Sequence, residues 1–280
     1  MPIRVLIIDD SAFNRRTISE ILSATDNIEV VGIAVDGEDG LKKLLTLKPD
    51  VVTCDLEMPV MDGFAFIRMC MANNPTPIVV VSSKKEDVNV FKALDLGAVD
   101  FVAKPTATVS ARLYNIQNEL IEKVNAASQT KLSSVKSIME RVSDYEEARP
   151  EHKKLDHAAA YSIFDFKKEN TIELLAIGAS TGGPAALKQL LHVLPINLNV
   201  AVVIAQHMPP GFTSSFAQRL NSSSSYIICE AKDGETLEKG KVLLAPGGKH
   251  LTFIRSDDSV YVKLVDGKPS DNNVPSVNMM

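Results

Sequence analysis

Apolar and polar residues fall in blocks along this chain, and each change of period marks an element. RVLIID is an almost unbroken apolar run closing in acid, which predicts a strand. Ser11 then caps a helix in which Phe13, Ile18, Ile21 and Leu22 are read as sharing a face. EVVGIA predicts a second strand, followed by a helix carrying Leu41, Leu44 and Leu45. DVVTCD, PIVVVSS and VDFVAK predict three more strands, and RLYNIQNELIEKV spaces Leu113, Ile116, Leu120 and Val124 for a closing helix. Strands alternating with helices imply a doubly wound parallel-sheet α/β domain over residues 1–123, with its ligands at the carboxyl ends of the strands.

From 124 to 170 the pattern loosens into a charge-balanced, partly helical linker. KLSSVKSIMERV spaces Leu132, Val135, Ile138 and Val142 for one amphipathic helix, while His152 and His157 read as surface residues. The alternation restarts over 171–280. ELLAIGAS predicts a buried strand, GGPAALKQLLHVL a helix with Pro184 in its first turn, and NVAVVIAQH a second buried strand ending in His207. Met208 to Thr213 reads as a turn and SSFAQRLN as a helix. Short strands follow, with tight turns at Asp233-Gly234, Gly247-Gly248 and Asp257-Asp258, and with His250 on a turn. The second domain is thus also α/β, a doubly wound sheet with added short strands.

Composition narrows the classes. A chain of 280 residues with net charge -5 has room for two domains and gives no reason to expect nucleic acid as a partner. Cys54, Cys70 and Cys229 have no C-x-x-C spacing, which suits a reducing cytosol rather than a disulfide framework or a zinc site. The N-terminus is not a signal peptide, and no stretch approaches the ~18 apolar residues of a membrane helix, so a cytoplasmic location without membrane insertion is expected.

Candidate chemistry gathers at the strand ends. Asp9 and Asp10 end the first strand, Asp55 the third, Ser82 the fourth and Lys104 the fifth. Converging carboxylates repel unless a cation binds, and a hard, oxygen-only site suits Mg²⁺. With Lys104 helping to neutralise charge, Asp55 is placed to accept a phosphoryl group. Lys104-Pro105 is a candidate for a special peptide bond. In the second domain Gly178-Ala179-Ser180-Thr181-Gly182 is a G-x-S-x-G, the spacing of a strand-to-helix elbow that lifts a serine hydroxyl off the sheet. The N–H of Thr181 would face an oxyanion formed beside Ser180. His207, at the end of the neighbouring strand, is the candidate base. A capping serine in a tight βα turn, or a phosphate-cradling loop, remains open on the G-x-S-x-G alone.

Residues 1–123 resemble a response-regulator receiver domain, of flavodoxin-like fold. The resemblance rests on Asp9-Asp10, on Asp55 followed by Leu56-Glu57-Met58-Pro59 and Met61-Asp62-Gly63, on Ser82 and on Lys104-Pro105. It implies Asp55 as phosphoacceptor, Ser82, Phe101 and Lys104 as switch residues, and Mg²⁺ held by a set read as Asp9, Asp10, Asp55 and Glu57. Gly178 to Pro184, Gln206 to Thr213 and Ala245 to His250 are similar to the catalytic domain of chemotaxis protein-glutamate methylesterases, of Rossmann-like fold. That resemblance implies a Ser-His-Asp hydrolase with Ser180 as nucleophile and His207 as base, and no cofactor in the esterase site. Its substrates would be glutamate methyl esters, and glutamines, on methyl-accepting chemotaxis receptors, with a chemotaxis histidine kinase as phosphodonor.

One departure stands out. The family carries its triad aspartate in a Met-Gly-x-Asp-Gly motif, and none occurs in these 280 residues. The carboxylate is therefore expected beyond Met280, the chain is expected to be a fragment of a longer protein, and on its own it is expected to be poorly active. Asp233, Asp257, Asp258, Asp266 and Asp271 lie in turns and strand flanks and are not expected to replace it. The alternative from another class is a phospho-switch binding module of a two-component system, without turnover. A DNA-binding regulator is disfavoured, since no helix-turn-helix pattern follows the linker.

Overall fold

The structure, a computed structural model, describes residues 1–82, 87–104, 110–130, 173–194, 200–268, 271 and 273–280. The chain divides into two compact units, Met1–Met139 and Glu140–Met280. The helix expected across Leu132 to Val142, together with His152, His157 and Pro105, lies outside the described residues.

In the first unit, β1 (Ile3–Ile8), β2 (Ile28–Ala34), β3 (Val51–Cys54), β4 (Ile78–Ser82) and β5 (Asp100–Ala103) form a five-stranded sheet in the order β2-β1-β3-β4-β5. Every pairing is parallel. Helices α1 (Ala12–Ser23), α2 (Gly37–Leu47), α3 (Gly63–Asn73), α4 (Asp87–Asp95) and α5 (Ser110–Ser128) alternate with the strands. The chain leaves β1 for β2 on one side and resumes at β3 on the other, so β1 and β3 flank a topological switch point. Val5, Ile7, Ile18, Leu22, Val79, Val102, Leu120 and Val124 pack into one core against that sheet.

One expected helix face is corrected. Phe13 is 59% exposed, although Ile18, Ile21 and Leu22 are buried. At about 100° per residue, nine residues carry Phe13 to the side opposite Leu22. On α2 the buried residues are Gly37, Gly40 and Leu44, whereas Leu45 is 59% exposed. The helix meets the sheet through its glycines, which carry no apolar signal: a Cβ on Gly40 would lie 2.5 Å from Ile8.

In the second unit, β6 (Leu174–Ala179), β7 (Ala201–Gln206), β8 (Ile227–Glu230) and β9 (Lys241–Leu244) form a parallel sheet in the order β6-β7-β9-β8. Helix α6 (Gly183–Val193) follows β6 and α7 (Phe212–Ser223) follows β7. An antiparallel hairpin, β10 (Lys249–Ser256) and β11 (Ser259–Asp266), sends Leu251 and Val262 into the core formed by Val203, Ala205, Leu243 and Ala245. A short 3-10 turn, Val277–Met279, ends the described chain.

The apolar run before Ser180 proves not to be a buried strand. β7 is buried at every residue, but β6 alternates exposed and half-buried positions because it lies at the edge of the sheet. An apolar run marks a strand without marking its place in the sheet. His250, expected on a turn, lies inside β10 and is 3% exposed.

Candidate functional sites

At the switch point of the first unit, the carboxylates of Asp9, Asp10 and Asp55 bring ligand oxygens within 4.8 Å of one another. Asp9 and Asp55 are buried and Asp10 is exposed. Hydrogen bonds hold the buried pair in place: Asp9 accepts from the Ser11 N–H at 2.9 Å and from Asn14 Nδ2 at 3.2 Å, and Asp55 accepts from the Leu56 N–H at 2.7 Å. The Arg15 guanidinium donates to the backbone carbonyls of Asp9 and Asp10 at 2.8 and 2.9 Å. Lys104 Nζ lies 2.6 Å from Asp55 and 3.6 Å from Asp9.

Burial pushes the Asp55 carboxyl up from its usual range, against the pull of Lys104. One ammonium does not balance three carboxylates, and the donors are all hard oxygens, so the residues present fit a Mg²⁺ ion. Glu57, expected as a further ligand, is exposed and is not part of this group. The Met61-Asp62-Gly63 sequence has a local cause. Asp62 caps α3 by accepting from the Ala65 N–H at 2.7 Å, and a Cβ on Gly63 would lie 2.1 Å from the Asp55 carbonyl oxygen.

Ser82, the last residue of β4, and Phe101, within β5, are both buried. Beneath Phe101 is a feature that the sequence did not announce. Lys123 of α5 is buried, bonds Asp100 at 3.0 Å and the Phe101 carbonyl at 2.6 Å, and holds its Nζ 5.0 Å from the Phe101 ring centre. A lysine in a closing helix reads as solvated until its partners are known.

In the second unit Ser180 and His207 follow β6 and β7, whose register pairs Ala179 with Gln206. The pairing continues in a bond from the His207 N–H to the Ala179 carbonyl at 3.1 Å. Ser180 Oγ then lies 3.0 Å from His207 Nδ1, and His207 Nε2 is buried. Ser180 is exposed and His207 half-buried, so the hydroxyl can be reached from solvent. Thr181 continues the turn, Gly182 takes φ 77, and α6 starts with Pro184 in its first turn. The arrangement can pass a proton from serine to imidazole and present turn and helix N–H groups to a developing oxyanion.

Behind the pair, the loop after His207 nests against the Ala245–Lys249 turn: a Cβ on Gly247 would lie 2.6 Å from the Pro209 carbonyl. Thr213 ties the two together, accepting from the Gly247 N–H at 2.9 Å and donating to Glu230 at 2.5 Å. His250 Nε2 bonds Asp271 at 2.9 Å and its Nδ1 accepts from the Ser276 N–H at 3.1 Å. Of the other aspartates, Asp233 bonds Lys263 and Asp266 bonds Lys249. The Gln206 side chain, which spacing gave no reason to single out, lies wholly buried between Ser180 and His207.

A carboxylate crevice at a flavodoxin-like switch point, on one chain with a serine–histidine pair at a βα elbow, defines a receiver domain joined to a serine-hydrolase-like domain. Comparison with known proteins agrees. The response regulator receiver domain family matches residues 5–113 and the CheB methylesterase family residues 175–280. A protein-glutamate methylesterase/protein-glutamine glutaminase of Geobacter sulfurreducens is 45% identical, over 99% of this chain and 76% of its own length. One from Halalkalibacterium halodurans is 42% identical, over 99% of this chain and 76% of its own length. The crystal structure of the Thermotoga maritima CheB methylesterase catalytic domain is 39% identical, covers 40% of this chain and 59% of that domain, and has a TM-score of 0.38. The chain belongs to the protein-glutamate methylesterase/protein-glutamine glutaminase family. No helix among the described residues is long and apolar enough to cross a membrane.

Proposed function

We propose that this chain is a phosphorylation-activated hydrolase that removes methyl esters from glutamates, and deamidates glutamines, on chemoreceptors, giving chemotactic adaptation. The observation that carries the reading is the 3.0 Å approach of an exposed Ser180 Oγ to His207 Nδ1 at adjacent strand ends. Ser180 Oγ attacks the ester carbonyl carbon while His207 Nδ1 takes its proton. The Thr181 N–H receives the oxyanion, and methanol leaves with the proton returned from Nδ1. Water, deprotonated by the same nitrogen, then releases the glutamate and frees Ser180. A carboxylate serving His207 Nε2 would fix the ring's tautomer, and we assign it to the Met-Gly-x-Asp-Gly motif of the family.

Asp55 is proposed as the phosphoacceptor. Asp9, Asp10 and Asp55 would hold Mg²⁺, which supplies charge neutralisation for an incoming phosphoryl group. Lys104 steadies the Asp55 carboxylate, and Ser82 and Phe101 are assigned the switch. The esterase site is proposed to work without a cofactor. Methyl-accepting receptors as substrates, a histidine kinase as phosphodonor and a cytoplasmic location belong to the same reading, and three free cysteines suit a reducing compartment.

Methanol release from methylated receptor, followed with and without a small phosphodonor and Mg²⁺, tests the proposal. Ser180→Ala should abolish release and Asp55→Asn should abolish its stimulation. Stimulated release by Ser180→Ala would remove the serine mechanism.

A further inference from the structure

We propose that Gln206 is a positioning residue for the Ser180–His207 pair, a role resting on the reading of Ser180 as nucleophile. Gln206 is the last residue of β7, lies opposite Ala179 in the sheet register and is 0% exposed. Its Nε2 donates to the Ser180 carbonyl at 3.1 Å and to the His207 carbonyl at 3.2 Å. Both partners are carbonyl oxygens, so only the NH₂ end of the amide can face them, and the orientation of the side chain is fixed. One side chain thus spans the elbow that carries the nucleophile and the strand end that carries the base.

Two further observations point the same way. The Ser180 carbonyl also accepts from the Gly183 N–H at 2.7 Å, so the elbow is closed from the helix side and from the sheet side together. A Cβ on Gly183 would lie 1.9 Å from Gln206 Oε1, so the second glycine after Thr181 is what makes room for the amide. Oε1 itself has no hydrogen-bond partner among the described residues. An unsatisfied buried acceptor is costly, and packing alone would favour an apolar residue here. The donor end must therefore contribute something that packing does not: it keeps two carbonyls, and with them the serine and imidazole, from drifting apart.

A misplacement of about 1 Å between reacting groups can cost roughly a hundredfold in rate. The test is the rate of covalent labelling of Ser180 by a fluorophosphonate in the full chain, read by mass spectrometry against Ser180→Ala. Gln206→Met should slow labelling about a hundredfold while the reversible affinity for the probe changes less than about threefold. Gln206→Glu should turn the rising pH profile into a bell. Wild-type labelling rises with pH as the base loses its proton, and in the variant a fall should follow as the new carboxylate, facing two carbonyls, ionises. A merely structural role would lower the melting temperature and leave the direction of the pH profile unchanged. Wild-type rates and profiles in both variants would overturn the proposal. Should Gln206→Met fail to fold, the profile of Gln206→Glu decides alone. If the wild-type chain is not labelled at all, the nucleophile reading fails separately. The clamp is then read from the His207 ring nitrogens by ¹⁵N NMR, and resonances unmoved in Gln206→Met would overturn it.

Discussion

The two units place reactive groups at the carboxyl ends of parallel strands by opposite means. In the first, Asp9 and Asp55 end neighbouring interior strands and are 0% and 2% exposed. Buried charges of one sign are costly, so that site is held by compensating charge and donors: Lys104, the N–H groups of Ser11 and Leu56, and the amide of Asn14. In the second, the nucleophile leaves an exposed strand, and the bonds that place it among the described residues are neutral. Its position comes from a left-handed glycine, a helix start and a neutral amide. The first site should therefore fail when charge is unbalanced, and the second when a backbone turn is disturbed.

The sharpest break of this comparison is a pair of losses that do not cross. Asp55→Asn should abolish Mg²⁺-dependent labelling by a small phosphodonor yet leave basal fluorophosphonate labelling of Ser180 at the wild-type rate. Ser180→Ala should do the reverse. If either substitution silences both labels, the two sites are not chemically separate and the contrast falls.

A smaller but still large effect is expected at the buried lysine. Lys123→Met strands Asp100, whose second oxygen already has no partner among the described residues, and should cost about 3–5 kcal/mol of first-unit stability. The counterpart in the second unit, Lys249 with Asp266, is exposed, and Lys249→Met should leave the urea midpoint unmoved. Equal shifts would mean that the buried pair is no more than a surface contact.

Next come the glycines. Gly63→Ala drives a methyl into the Asp55 carbonyl, which is backbone and cannot swing aside, so about 1–3 kcal/mol and part of the phosphorylation rate should go together. Gly182→Ala meets nothing within 4 Å but must hold φ 77, so its cost should be only about 1 kcal/mol, with Ser180 labelling slowed in the same proportion. An unchanged labelling rate would show that the elbow tolerates a relaxed turn.

How far the sequence could be read follows the same division. Acids at the ends of the first and third apolar runs, and a serine and a histidine at the ends of two later runs, are visible because a parallel sheet turns strand ends into one surface. What stayed hidden depends on three-dimensional neighbours. ELLAIGAS has the composition of a buried strand, and its edge position follows only from what pairs beside it. Lys123 and Asp100 are 23 residues apart and His250 and Asp271 are 21 apart, distances at which no helical or strand period connects partners. Gln206 opens a segment that carries the family resemblance, but its role stays hidden until both carbonyls it serves are seen. Phe13 stayed hidden for a simpler reason: it is apolar like Leu22, but the helical angle sets the two on opposite sides.

The smallest expected effect is at Asp271, and it asks whether charge reaches the strand that carries Ser180. The Asp271 carboxyl is held below its usual range chiefly by the hydrogen bond with His250 and then by the Lys268 N–H. A carboxyl whose pKa is lower in the folded state stabilises folding when ionised. Its contribution is whole above the ordinary carboxylate range, near about pH 4, and is lost as pH falls through the lowered folded value. Asp271→Asn should therefore melt a little below wild type at neutral pH, and the gap should close under acid. The side chain is 30% exposed, so water screens the contact and keeps the gap small. Its reach is longer than its size suggests. His250 also accepts from the Ser276 N–H, and Val277 beside it packs on Gly178, where a Cβ would lie 2.5 Å from the valine. Loosening Asp271 should thus speed amide exchange along β6, the strand that ends in Ser180, while the strands of the first unit keep their protection. A melting gap that stays constant into acid would show that ionisation of Asp271 contributes nothing to how the second unit holds its site.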